Sequence, residues 1–299
     1  MGLFKKKKTQ QQEIEKPKKK KKERGPQYLT SPINTRVLNY REYYMNARQK
    51  LVYTVLAFVA GALAGYLFYG GIGSDSKGNA TPLSVILTIA ICVGVGILAV
   101  KLFLPMRMEQ LRIKRRSQLR QQFMDLLDSL ASSIASGNNA IKSFEAAQND
   151  LTMQYGEDSY IVGELQTILL GAANSIDLEV MIKDFGSRAG IQEIENFAQV
   201  FGLSYRRGGD FGKIIRDSYE ILYNKINIEM EIETKVASTK NELKMMLVMP
   251  VLLVGMMKLS GGDFSRNFRT PIGALGTTVG LMVIAGAYAL GKKIVDIEV

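Results

Sequence analysis

Between Tyr205 and Leu222 the chain reads YRRGGDFGKIIRDSYEIL, with two arginines, two glycines and an aspartate in five consecutive positions. A phosphate loop has this kind of composition, because glycine N–H groups can surround an oxyanion while nearby cations balance its charge. Its other requirements are missing, since GGDFGKI has no Ser or Thr after the lysine and no buried strand precedes it. As a helix corner the same residues have ordinary roles: Gly208 and Gly209 end one helix, and Asp210 caps the next, beginning at Phe211. The turn does not need Arg206 and Arg207, which stand either as a solvated pair or as a contact for a partner.

The rest of the inventory offers little reactive chemistry. The 299 residues include no histidine and one cysteine, which removes the usual general base, the usual metal ligand and the neutral-pH switch. Cys92 lies in an apolar run and has no second cysteine to pair with, so it reads as a small hydrophobe. Carboxylates such as Glu193, Glu195 and Glu220 fit solvated helix faces, and no spacing makes an acid/base couple. The expectation is a non-enzyme with no catalytic residue, no cofactor site and no metal site.

Charge is concentrated at the start. Residues 1 to 50 hold fifteen Lys/Arg and four Asp/Glu, and the remaining residues balance, so the formal charge of +11 belongs to the first fifty. The opening MGLFKKKKTQQQEIEKPKKKKKERGP is too polar to pack, and 1–50 reads as a disordered polybasic cytoplasmic arm. Such an arm is drawn to anionic membrane lipid, at about 1 kcal/mol per basic residue near the surface. No aromatic residues interleave the lysines, so nucleic acid is not an expected partner.

Two apolar pairs follow. LVYTVLAFVAGALAGYLFY, free of charge, and the run from Leu83 to Leu104 form a first transmembrane hairpin over 51–104. The basic residues before it and from Arg107 onward place both its ends in the cytoplasm. A second hairpin occupies 244–299 with a short cytoplasmic tail. Its first member, about Leu243 to Ser260, spans only if Lys244 and Lys258 snorkel, and Pro250 kinks it. Its second, Ile272 to Leu290, carries Gly273, Gly276, Gly280 and Gly286 as sites of close helix approach. The expectation is a multi-pass protein of the inner cell membrane, with four spans and both termini cytoplasmic.

Residues 105–243 have helical period. Phe123, Leu126, Leu127, Leu130 and Ile134 share a face, Gly137-Asn138-Asn139 stops that helix and caps the next, and Ile141, Phe144 and Leu151 continue it. A shift of 71 residues brings Phe123, Leu126, Leu130, Gly137, Asn139 and Phe144 onto Ile194, Phe197, Phe201, Gly208, Asp210 and Ile215. A shift of 38 brings Leu127, Leu130, Asn139 and Phe144 onto Leu165, Ile168, Asp177 and Ile182. Three αα-hairpins therefore fill the domain. The last helix, from Phe211 to about Lys244, has a first half that buries Ile214, Ile215, Leu222 and Ile226 and a charged second half that reads as a solvated stalk. The fold class is an all-α membrane protein, two transmembrane hairpins flanking a six-helix cytoplasmic bundle.

With QQFMDLLDSLASSIASGNNAIKSFEAA near the start of that domain, YRRGGDFGKIIRDSYEIL near its end and a terminal KKIVDIEV, the chain resembles TadB-like platform proteins. These belong to the inner-membrane machinery of tight-adherence (Flp) pilus systems and to the type II secretion F (GspF) domain family. The resemblance covers about residues 105 to 299, and the order of elements over 51–104 also fits.

It implies a platform of a type IV-like pilus or type II secretion machine that couples a cytoplasmic ATPase to pilin extraction and polymerisation. The implied partners are a hexameric secretion ATPase, pilin subunits and a second platform protein similar to TadC. Larger relatives carry two copies of the six-helix domain, so a chain with one is expected to form a homo- or hetero-oligomer. The polybasic arm lies outside the family pattern. Exposed corner residues Asn138, Asn139, Arg206, Arg207 and Asp210 are the expected ATPase contacts. The alternative is a membrane-anchored helical signalling or scaffold protein with another soluble partner. A transporter fits less well, because no span has an ionisable residue at its centre.

Overall fold

A computed structural model describes residues 25–72, 81–207, 211–259 and 270–295. Two short antiparallel strands, β1 (Tyr28–Thr30) and β2 (Arg36–Leu38), precede α1 (Ala47–Tyr69) and α2 (Pro82–Ala135). Then come α3 (Ala140–Tyr155), α4 (Tyr160–Ala173), α5 (Leu178–Ala189), α6 (Gln192–Arg207), α7 (Phe211–Leu259) and α8 (Pro271–Val295). Three of these helices are long and apolar enough to cross a membrane: α1, α2 through its first half, and α8.

The expected boundary between membrane hairpin and domain is not a break in the chain. A capping box of Thr81 and Ser84, with Pro82 in the first turn, starts α2. The helix then runs 54 residues through Pro105 into the domain, a length of about 80 Å. Helix α7 crosses the second boundary in the same way, with 49 residues and Pro250 inside it. Its charged middle is mostly exposed, in keeping with a solvated stalk.

The membrane-facing pairs are built differently. A Cβ on Gly61 would stand 2.6 Å from that of Ala99, and one on Gly96 would meet the Phe58 ring at 2.8 Å. Only glycine permits this approach of α1 to α2. The close approach expected along α8 is not found there: a Cβ on Gly276, Gly280 or Gly286 would meet nothing within 4 Å.

The fourth expected span, drawn to Ser260, falls on the end of α7, and among the described residues that end is not one of the helices long and apolar enough to cross. The last eighteen described residues of α7, 242–259, carry three charges, Glu242, Lys244 and Lys258. That end nevertheless lies beside α8 and the tip of α1, and the three elements enclose an apolar cavity of about 260 Å³ bounded by Phe68, Pro250 and Leu281.

Within the domain, α2, α4 and α6 run away from the membrane-facing helices and α3, α5 and α7 return. The repeat positions form the core: Leu127, Leu130, Phe144, Leu165, Ile168, Ile182, Ile194, Phe197, Phe201 and Ile215 are all buried. An aromatic chain links them, with ring centroids 6.2 Å apart for Phe123 and Phe185, 5.4 Å for Phe123 and Phe197, 5.8 Å for Phe197 and Phe201, and 6.3 Å for Phe144 and Phe201.

One expectation is overturned. The sequence predicts a disordered arm over 1–50, but residues 25–46 fold as the β-hairpin and an ordered strap, with Ser31, Val37, Asn39 and Tyr40 buried. Composition averaged over fifty residues hid this segment, because its two cations, Arg36 and Arg41, are interleaved with tyrosines, leucines and valine that have a core to reach. Residues 1–24 lie outside the described residues.

Candidate partner-binding face

The up-and-down order sets the first two hairpin corners, 136–139 and 174–177, at the end of the bundle farthest from the membrane-facing helices. At the first corner Gly137 takes φ +87°, a conformation that favours glycine, and the Asn139 side chain accepts from the Lys142 N–H at 2.9 Å. Asn138 donates to Ser133 Oγ at 3.0 Å, and both asparagines are exposed. At the second corner Ser175 occupies the position equivalent to Gly137 under the shift of 38 and also takes positive φ, 61°. Asp177 is the N-cap of α5, as the repeat predicts, but its side chain makes no capping bond.

The third corner joins α6, which ends at Arg207, to α7, which begins at Phe211. The side chains of Arg206 and Arg207, and Asp210 with its two glycines, lie outside the described residues. Phe144, one turn into α3, and Phe201, near the end of α6, are in ring contact, so the start of α3 and the last turns of α6 rise from one patch of core. Asn138 and Asn139 therefore share this end of the molecule with the close of α6.

Sequence reasoning missed most of the apolar groups of this face, and it reads Ile141 as a core position with Phe144 and Leu151, whereas Ile141 is exposed. Ile141, Leu170, Val180, Leu203 and Tyr205 lie in the first or last turns of their helices, and Leu203 and Leu170 are 60% and 54% exposed. The Tyr205 ring stacks on that of Phe201 at 5.5 Å. Between α5 and α6 a cleft of about 280 Å³ is bounded by Glu179, Lys183, Gln199 and Leu203. A face of capped corners, polar groups and scattered exposed apolar side chains suits protein contact. Periodicity alone hides such residues, because they interrupt the polar face one at a time.

The membrane-proximal end is quite different. Glu164 and Arg188, both buried, form a two-pronged ion pair at 2.9 and 2.8 Å, and Arg188 Nε adds Asp184 at 2.8 Å. The Tyr40 hydroxyl donates to Glu164 at 3.0 Å, and Arg188 donates to the Leu38 carbonyl at 2.9 Å, which ties the strap to α4 and α5. Burial first, and then the Glu164 charge, push the Tyr40 hydroxyl well above the usual phenol range. Burial opposes the charge on Arg188, but the Glu164 and Asp184 carboxylates outweigh it and raise its pKa.

Arg115 lies over the rings of Tyr43 and Tyr160 at 4.4 and 5.8 Å, and Arg41 donates to the Ser187 carbonyl at 2.9 Å. Glu193 and Glu195, expected on solvated faces, are instead ion-paired to Lys225 at 2.5 Å and to Arg41 at 3.4 Å. Burial works to raise the Glu193 carboxyl, but Lys225, its own backbone N–H and Arg120 together hold it below the usual range. These contacts describe a structural lock. Among the described residues no group of three or more metal-ligating side chains is present.

No known protein family, curated protein or solved structure matches the chain.

Proposed function

We propose that the chain is a platform of a type IV-like pilus or type II secretion machine, its distal face docking a cytoplasmic secretion ATPase and its membrane helices handling pilin subunits. The observation that carries this reading is the continuity of α2 and α7. Each runs as one helix from a distal corner to an apolar segment, so displacement at the tip reaches the bilayer without a flexible joint between. The end of α7 then acts as a fourth span, with Lys244 and Lys258 snorkelling to opposite interfaces, and both chain ends lie in the cytoplasm. The open glycine face of α8 suits a second platform protein.

A photo-crosslinking residue placed at Leu203 or Asn138 of the full chain, in its native membrane, tests this. The expected product is a crosslink to a hexameric ATPase, identified by mass spectrometry, with a control at exposed Met153 silent. A crosslink from both sites to a signalling protein instead would establish the membrane-anchored scaffold reading.

A further inference from the structure

The first membrane hairpin carries cations at the level where it leaves the apolar region on the domain side. Lys50 directly precedes the charge-free run of α1, and Arg107 follows the run of α2 by three residues. The two helices are held in register by Tyr53, whose ring lies 6.5 Å from Phe103 and 5.2 Å beneath the Arg107 guanidinium. Because α1 and α2 are antiparallel, Lys50, one turn before Tyr53, comes to the height of Arg107, with Arg48 just beyond it.

The Arg107 fork is incompletely used. One arm donates to Gln110 at 3.0 Å and the other reaches the Tyr53 hydroxyl at 3.4 Å, while Nε is buried and has no acceptor. Among the described residues no carboxylate lies within ion-pair distance of Arg48, Lys50 or Arg107, and nearby Glu109 is held by Arg112 at 2.5 Å. A stacked guanidinium with an idle donor, near two exposed cations where the apolar runs of α1 and α2 end, has the chemistry to take an oxyanion.

We propose that Arg107 and Lys50, with Arg48 at the rim, bind the phosphate of an anionic phospholipid between α1 and α2. Tyr53 is the positioning residue, setting the plane of the guanidinium toward the headgroup layer. The lipid would hold the hairpin at fixed depth where α2 passes into the domain. This site is built from Arg48, Lys50, Tyr53 and Arg107 and does not depend on which partner the distal face takes.

Native mass spectrometry of the full chain in mild detergent, titrated with phosphatidylglycerol or phosphatidylcholine, reads the site directly. Wild type is expected to retain phosphatidylglycerol preferentially. Arg107→Gln should weaken that retention about five-fold and the Arg107→Gln/Lys50→Gln pair about 25-fold, from roughly 1 kcal/mol per basic group. Arg107→Lys keeps the charge and should recover most of the preference, which guards against a folding defect in the glutamine variants. Changing Lys5, Lys6, Lys7 and Lys8 to Gln should leave the tightly held lipid in place. The proposal is overturned if the double variant binds as wild type does, if the two lipids are held equally, or if inorganic phosphate occupies the protein as well as the lipid does.

Discussion

At the membrane-proximal end of the bundle, a strap and two helix ends converge on a buried carboxylate and guanidinium, and the bonds from Tyr40 to Glu164 and from Arg188 to Leu38 and Glu164 cross between segments far apart in sequence. At the distal end the corners are closed by bonds within a few residues of themselves, such as Asn139 to Lys142 and Asn138 to Ser133. Long-range polar bonds fix how elements sit against one another, whereas local caps fix only where a helix starts. The proximal end is therefore built to hold geometry between elements, and the distal caps fix only their own corners.

Breaking the lock should have the largest effect. Glu164→Ala leaves the Arg188 guanidinium with only the partly exposed Asp184 and a backbone carbonyl, a loss of about 3–5 kcal/mol as for other half-broken buried pairs. Thermal unfolding in detergent should show it, while a Glu164→Leu/Arg188→Met pair, which removes both charges, should recover much of the loss. Tyr40→Phe keeps the ion pair and removes one hydrogen bond to a carboxylate, so about 1.5–3 kcal/mol should go. Its more specific sign is release of the strap, read as faster hydrogen exchange at Tyr40 and Arg41 than in α4. If exchange accelerates equally in both, the strap is not a separable clamp.

The corners should respond more weakly. Asn139→Ala removes a single cap and should cost about 1 kcal/mol, and Asn139→Asp, which restores the acceptor, should return it. Ser175→Gly relieves a positive φ at the position where the first hairpin uses glycine and should raise stability by about 0.5–1 kcal/mol, strain relief exceeding glycine's entropy cost. A loss there would mean that the Ser175 side chain contributes something that the repeat does not explain.

Much of this architecture is legible in the sequence, and the boundary of legibility has a physical cause. The heptad-like faces around Phe123 and Ile194, and the Gly137 stop, report local periodicity and turn chemistry, both written within a few residues. The offset of 38 does not reveal that Ser175 takes the positive φ of Gly137, because serine carries no such signal. The lock is illegible because Tyr40, Glu164 and Arg188 are separated by 124 and 24 residues, and each alone reads as a surface residue. The strap was lost for a related reason: eleven of the fifteen early cations fall before residue 25 and colour the composition of a segment that itself packs. Of the named contact residues, Asn138 and Asn139 fall on the distal face as exposed corner groups, but Asn139 already serves as a cap. A residue type that turns and contacts share cannot tell the two roles apart.

The smallest change in stability and the clearest test of the comparison come from the same substitution. Leu203 and Leu170 are largely exposed, so Leu203→Ser and Leu170→Ser should each alter stability by no more than about 0.5 kcal/mol. If the distal face is a docking surface, the double variant should nevertheless lose the ATPase from detergent co-purification while the strap and membrane helices melt as in wild type. An apolar contact removed from the centre of an interface costs more in binding than its exposure in the free protein suggests, because truncation also leaves the partner's matching surface unfilled. Co-purification unchanged by the double variant, but lost when Tyr40→Phe frees the strap, would place the contact at the proximal end and reverse the assignment of the two ends.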